Sequence, residues 1–73
     1  MTNLENYNLS RSEWENLIDQ WIIGRNSERN RKMLKRRLLD GITYERLAEE
    51  FDMSPQNVCN VIYKCQDKVF KHL

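Results

Sequence analysis

Residues 43–62 read TYERLAEEFDMSPQNVCNVI and predict two short helices that meet at a sharp angle. Only residues 52–54 separate Phe51, the last apolar residue of the first helix, from Pro55, which opens the second. Two helices joined so tightly cannot lie antiparallel and must cross steeply, as in a helix-turn-helix. Ser54 is placed to cap the second helix, and proline suits the first helical position because its missing N–H costs nothing there.

The spacing of small and apolar residues supports the same motif. Counted from Tyr44, apolar residues occupy the fourth, eighth, tenth, fifteenth and eighteenth places: Leu47, Phe51, Met53, Val58 and Val61. Ala48 supplies the small side chain needed where the two helices touch. Asp52 takes a place that often holds glycine with positive φ, and aspartate tolerates left-handed backbone better than most residues.

Two further helices are predicted before the motif. Ser10 and Glu13 form a capping box, and the first helix carries an apolar stripe that should end at Gly24: Trp14, Leu17, Ile18, Trp21 and Ile22. The second helix should begin at Asn26 or Ser27 and stop at Gly41. The expected fold is therefore all-α, with four helices that include the helix-turn-helix. Residues 1–9 should form a frayed tail and residues 10–73 a single domain, with the helix-turn-helix at about 43–72.

Charge is segregated along the chain although the net charge is only +1. Residues 25–40 carry seven Lys and Arg residues against Glu28 and Asp40, a net charge of +5. Arg25, Arg29, Lys32 and Arg36 follow one another at steps of four, three and four, which places them on one side if the helix begins early enough. A basic stripe beside a helix-turn-helix is typical of proteins that contact phosphates.

Size and composition exclude several classes of protein. With 73 residues the chain holds one thin core, so a substrate pocket, an enzyme activity and a small-molecule substrate are not expected. There is neither a long apolar run nor a signal peptide, which predicts no membrane association and a cytoplasmic location. Cys59 and Cys65 lie too far apart on one helix to pair. No catalytic set, metal site or cofactor motif is visible.

The run GITYERLAEEFDMS at residues 41–54 resembles region 4 of bacterial sigma factors, the domain that recognises the promoter −35 element. The resemblance covers roughly residues 29–73, and LuxR-type response-regulator domains share part of the pattern. Since the chain has no room for the sigma region that melts the −10 element, it resembles a free-standing region 4. Such small regulators occur in Firmicutes and their phages.

The resemblance implies a sigma-region-4-like helix-turn-helix in a winged-helix-like DNA-binding fold without the wing, and a site on double-stranded DNA. The helix that follows the turn would enter the major groove, with base contacts from the residues at its start: Pro55, Gln56, Asn57 and Asn60. Asparagine and glutamine can form bidentate pairs with adenine, whereas the Arg or Glu that the family often places here is missing. Phosphate contacts would come from the basic helix, the start of the third helix and the recognition helix: Arg29, Arg37, Thr43, Tyr44 and Lys64. The basic stripe adds Arg36 to this set.

An alternative function is protein interaction. Trp14 and Trp21 lie one heptad apart on the first helix, so they either pack on the other helices or form an exposed face. Such a face would mediate a homodimer or would dock on RNA polymerase or an anti-sigma-like partner.

Overall fold

The computed structural model describes residues 9–73, and within that range it contains four helices and no strand. The helices are α1 (Arg11–Trp21), α2 (Ser27–Asp40), α3 (Tyr44–Phe51) and α4 (Pro55–Phe70). The prediction of an all-α fold with four helices is confirmed. No helix in this part of the chain combines the length and apolar character needed to cross a membrane.

The start of α1 follows the capping box. The Ser10 hydroxyl accepts from the Glu13 N–H at 3.2 Å, and the Glu13 carboxylate accepts from the Ser10 N–H at 3.2 Å. Leu9, directly before the capping box, packs against the core. The rest of the predicted tail, residues 1–8, lies outside the described residues.

The predicted end of α1 at Gly24 is wrong, because the helix stops at Trp21. Ile22 adopts extended backbone at φ −93° and is only 2% exposed. The Arg31 guanidinium donates to the Ile22 carbonyl at 2.6 Å, which satisfies an acceptor that the helix end leaves free. Burial of Ile22 and this bond from α2 therefore turn the chain inward before the glycine is reached.

The turn between α3 and α4 has the geometry that the sequence predicts. Asp52 lies in the left-handed region at φ 55°, and its N–H donates to the Ala48 carbonyl. Thr43 and Ser54 cap the two helices: their hydroxyls accept from the N–H groups of Arg46 at 3.3 Å and Asn57 at 3.2 Å. The starts of α3 and α4 are therefore fixed by hydrogen bonds between residues three apart in the sequence.

The core lies where α4 crosses the other three helices. Every helix or its cap contributes to the set of buried apolar residues: Trp14, Ile18, Ile22, Met33, Leu34, Leu47, Ala48, Val58, Ile62, Cys65 and Val69. No polar or charged residue among residues 9–73 is buried. The core side of α4 faces inward along its whole length, so the opposite side of the same helix is left to solvent.

Ion pairs join α1 to α2 at the surface. Arg11 contacts Asp40 at 3.0 Å, and Lys35 contacts Asp19 at 2.8 Å. Exposed pairs of this kind contribute at most about 1 kcal/mol each. Their main consequence is that Lys35 is already paired and adds no free positive charge to the surface.

Candidate nucleic-acid interface

The solvent-facing side of α4 carries Gln56, Asn60 and Tyr63, all of which are exposed. Their spacing of four and three residues places them in one row along the helix, on the side opposite Ile62 and its buried neighbours. The Gln56 amide donates to the Asn60 side-chain oxygen at 3.3 Å. This bond links the two amides and fixes which atoms face outward.

Pro55 and Asn57, also predicted to contact bases, are exposed at the start of α4. Asn57 follows Gln56 by one residue, which places it about 100° further around the helix. The structure therefore separates Asn57 from the row formed by Gln56, Asn60 and Tyr63, although Asn57 lies next to Gln56 in the first turn of α4.

One predicted phosphate contact, Arg37, belongs to a cluster that spans three helices. The Arg37 guanidinium lies over the Tyr44 ring, with its central carbon 4.3 Å from the ring centroid. The Tyr44 ring meets the Tyr63 ring edge-on, with centroids 6.4 Å apart and planes at 78°. Arg37 also donates to the Ile42 carbonyl at 3.0 Å, which anchors it to the loop before α3. The contacts join the end of α2, the start of α3 and the middle of α4.

The hydroxyl of Tyr63 is held in its protonated form. Its pKa is raised above the ordinary value of 10.0, chiefly by hydrogen-bonding interaction with Tyr44, while the positive charge of Arg37 opposes part of this rise. A tyrosine hydroxyl is protonated at neutral pH even with its ordinary pKa, so Tyr63 carries both a donor and an acceptor there.

Two more predicted phosphate contacts border this row. Thr43 is exposed and precedes α3, whose first N–H groups have no partner within the helix. Lys64 is exposed beside Tyr63 and forms no ion pair with any residue in the range 9–73. The surface formed by α4 and the start of α3 thus combines amides, hydroxyls and positive charge.

The predicted basic stripe on α2 is only partly present. Arg25 precedes α2, so it cannot continue the helical row. Arg36 Nε lies 2.8 Å from the Glu50 carboxylate and forms an ion pair with it, although the angle does not suit a hydrogen bond. The positive charge of Arg36 is therefore already paired. Arg29 bonds to the Asn30 side chain at 3.0 and 3.1 Å, and Lys32 remains exposed.

Arg29 and Arg37 do not share a site. Eight residues separate them on α2, which corresponds to about 12 Å along the helix axis and about 80° around it. The structure brings Arg37 to Tyr44 and Tyr63, whereas Arg29 and Lys32 border a shallow hollow of about 560 Å³ near the start of α2.

The prediction of a Trp14 and Trp21 face is wrong for Trp14. Trp14 is only 2% exposed and meets the Phe70 ring edge-on at 5.8 Å. Trp21 is half-buried and stacks on His72, with centroids 3.4 Å apart. The two indoles serve to dock α1 against the end of the chain, so they do not form a joint exposed surface.

The structure adds Tyr63 to the residues that sequence reasoning selected. Its signal was available, since it follows Gln56 and Asn60 at helical spacing. What the sequence could not show is the contact with Tyr44, which depends on the crossing of α3 and α4. Cys59 lies one turn before Tyr63 and is half-buried, while Cys65 is buried in the core.

No family model, no curated protein and no solved structure matches this chain. The resemblance of residues 41–54 to sigma region 4 stays a prediction.

Proposed function

We propose that this chain is a sequence-specific DNA-binding regulator of transcription that places α4 in the major groove. The observation that carries the proposal is the exposed row of Gln56, Asn60 and Tyr63 on the second helix of a helix-turn-helix. Arg37 and Tyr44 flank that row on the neighbouring helices. Two helices joined by so short a turn must cross steeply, and such a pair can present its second helix outward for groove recognition.

The amides of α4 supply the base contacts. An exposed Asn or Gln can donate to adenine N7 and accept from adenine N6 at the same time. Because Gln56 donates to Asn60, the two amides are oriented before DNA binds, which lowers the entropy lost on binding. Pro55 and Asn57, at the start of α4, lie where the helix would first approach the bases.

Positive charge around the row supplies the phosphate contacts. Arg37 and Lys64 are the cations nearest to it, and Thr43 and Tyr44 offer hydroxyl and N–H donors at the start of α3. Arg29 would reach phosphates only on a neighbouring part of the backbone, because it lies about two turns of α2 away. Each contacted phosphate releases counterions, so affinity falls as salt rises.

The first experiment measures binding of the purified chain to a fluorescent random-sequence duplex at 50 and 200 mM salt, followed by selection of a preferred site from a random pool. Binding that weakens steeply with salt, together with an enriched motif, supports the proposal. A chain that binds no duplex at the lower salt concentration contradicts it. A palindromic motif would indicate a homodimer with two half-sites, and an asymmetric motif a monomer.

Two variants test the assigned roles. Asn60→Ala should weaken binding to the selected site by about 1–3 kcal/mol and leave random duplex unaffected, because it removes a base contact. Arg37→Ala should weaken both and lower the salt slope by about one. Gln66→Ala on another side of α4 and Lys71→Ala after its end are the matched controls. Equal behaviour of the two variants on both duplexes contradicts the assignment.

Docking on RNA polymerase through the two tryptophans would need both side chains on the surface, and Trp14 is buried. We therefore propose no separate docking function. Co-purification of polymerase with the wild-type chain but not with Asn60→Ala would point to α4 itself as a protein-binding surface.

A further inference from the structure

Tyr63 is the most exposed aromatic residue that the structure describes, at 59% exposure. It lies on the solvent side of α4, so its ring contributes little to the core. The same side carries Asn60 and Gln56, which lie one and two turns closer to the start of the helix. A ligand that binds along this side of α4 would therefore contact Tyr63 as well as the two amides.

The ring of Tyr63 is held in place although it is exposed. Its edge-on contact with Tyr44 restricts the ring from the α3 side, and Tyr44 is itself covered by the Arg37 guanidinium. Arg37 is in turn anchored to the Ile42 carbonyl. A side chain restrained in this way loses less conformational entropy on binding than a free surface tyrosine does.

The groups at this cluster are hydrogen-bond donors with a net positive charge. Arg37 uses one terminal nitrogen for Ile42, which leaves most of its five N–H donors available. The Tyr63 hydroxyl is neutral at neutral pH, as for any tyrosine, and carries one O–H donor. Tyr44, Cys59 and Arg37 act on its pKa, and the one carboxylate of α4, Asp67, is exposed one turn further along the helix. The cluster thus suits an anion with several acceptor oxygens.

We propose that Arg37 and Tyr63 bind one phosphate of the DNA backbone together, with the Tyr63 hydroxyl donating to a phosphate oxygen that the Arg37 guanidinium pairs with. This inference rests on the proposed function, and it makes Tyr63 a residue that sets affinity and register but does not read bases. Tyrosine hydroxyls and arginines are both common donors to phosphate oxygens in protein–DNA interfaces. Tyr44 contacts both side chains and so holds the two donors in one cluster.

Tyr63→Phe tests the proposal, because it removes the hydroxyl and keeps the ring against Tyr44. We expect about a tenfold loss of affinity for the selected site and for random duplex alike, the size of one hydrogen bond to a charged group. The salt slope should stay unchanged, since a neutral hydroxyl displaces no counterion, whereas Arg37→Ala lowers it. The melting temperature of Tyr63→Phe should lie close to that of the wild type, because the residue is 59% exposed and its ring stays against Tyr44.

Three outcomes overturn the proposal in distinguishable ways. A loss confined to the selected site means that Tyr63 contacts a base. Unchanged binding of Tyr63→Phe to both duplexes means that the hydroxyl makes no contact, and the proposed function then stands without it. If the wild-type chain binds neither duplex, the proposed function itself fails.

A scan with single methylphosphonates along the selected duplex gives a second measurement. A methylphosphonate removes the charge of one phosphate. Each methylphosphonate is tested as its two separated stereoisomers, because each isomer keeps a different one of the two phosphate oxygens. For one isomer at a single position, wild type and Tyr63→Phe should bind about equally, because the oxygen that accepts from Tyr63 is gone. A difference that persists at every position contradicts the one-phosphate site.

Discussion

The turn between α3 and α4 offers a test of the backbone geometry that sets the angle of the recognition helix. Asp52 has φ 55° and ψ 51°, is exposed, and is held there by the bond from its N–H to the Ala48 carbonyl. We expect Asp52→Gly to be more stable than Asp52→Ala by about 1 kcal/mol. Left-handed backbone destabilises alanine by about 1–2 kcal/mol. Glycine avoids this strain but loses about 0.5–1 kcal/mol more chain entropy on folding, so the net difference is smaller than the strain.

The matched position is Glu49, which is exposed inside α3 and has right-handed helical backbone. There the order should reverse, with Glu49→Ala more stable than Glu49→Gly by about 1 kcal/mol. Urea unfolding followed by circular dichroism measures all four variants, and in a domain this small 1 kcal/mol shifts the melting temperature by about 4–8 °C. If alanine is also the more stable residue at position 52, the left-handed turn is not the conformation in solution.

Three further predictions concern the core and the surface. At pH 8 iodoacetamide should modify Cys59 well before the buried Cys65, as mass spectrometry of the labelled chain can show. Burial raises the pKa of the Cys65 thiol above 9.0. The stability gained by burying the neutral thiol is therefore present below pH 9.0 and is lost as the pH rises through the higher pKa of the folded state. Ile62→Ala should destabilise the fold by about 2–5 kcal/mol in urea unfolding, because Ile62 is fully buried. A double-mutant cycle on Arg36 and Glu50 should give at most about 1 kcal/mol, and less at 1 M salt, since both side chains are one-third exposed.

The helix starts were predictable because their signals are local. Ser10, Thr43 and Ser54 each accept a hydrogen bond from an N–H three residues later. Such contacts depend only on neighbouring residues and form whenever the helix does. The end of α1 was mispredicted because it depends on Arg31, nine residues away in sequence and on another helix.

The residues of the candidate site also fall into two groups: those that local sequence patterns predict and those that depend on tertiary contacts. Helical spacing placed Gln56 and Asn60 together, and the segregated charge pointed to α2. Neither pattern could show that Arg36 is neutralised by Glu50 while Arg37 is directed toward Tyr44. Adjacent residues on α2 point about 100° apart, so the neighbour that each meets depends on how the other helices pack.

The sequence alone determined that the chain forms four helices, where three of them begin, and that a sharp left-handed turn at Asp52 joins the last two. Capping, periodicity and backbone preference act over a few residues, and a single sequence displays them directly. Only the tertiary structure decided that Trp14 is buried and that Tyr63 joins Arg37 across Tyr44. Those outcomes depend on crossing angles and distances between helices, which are set by the packing of the whole core around α4.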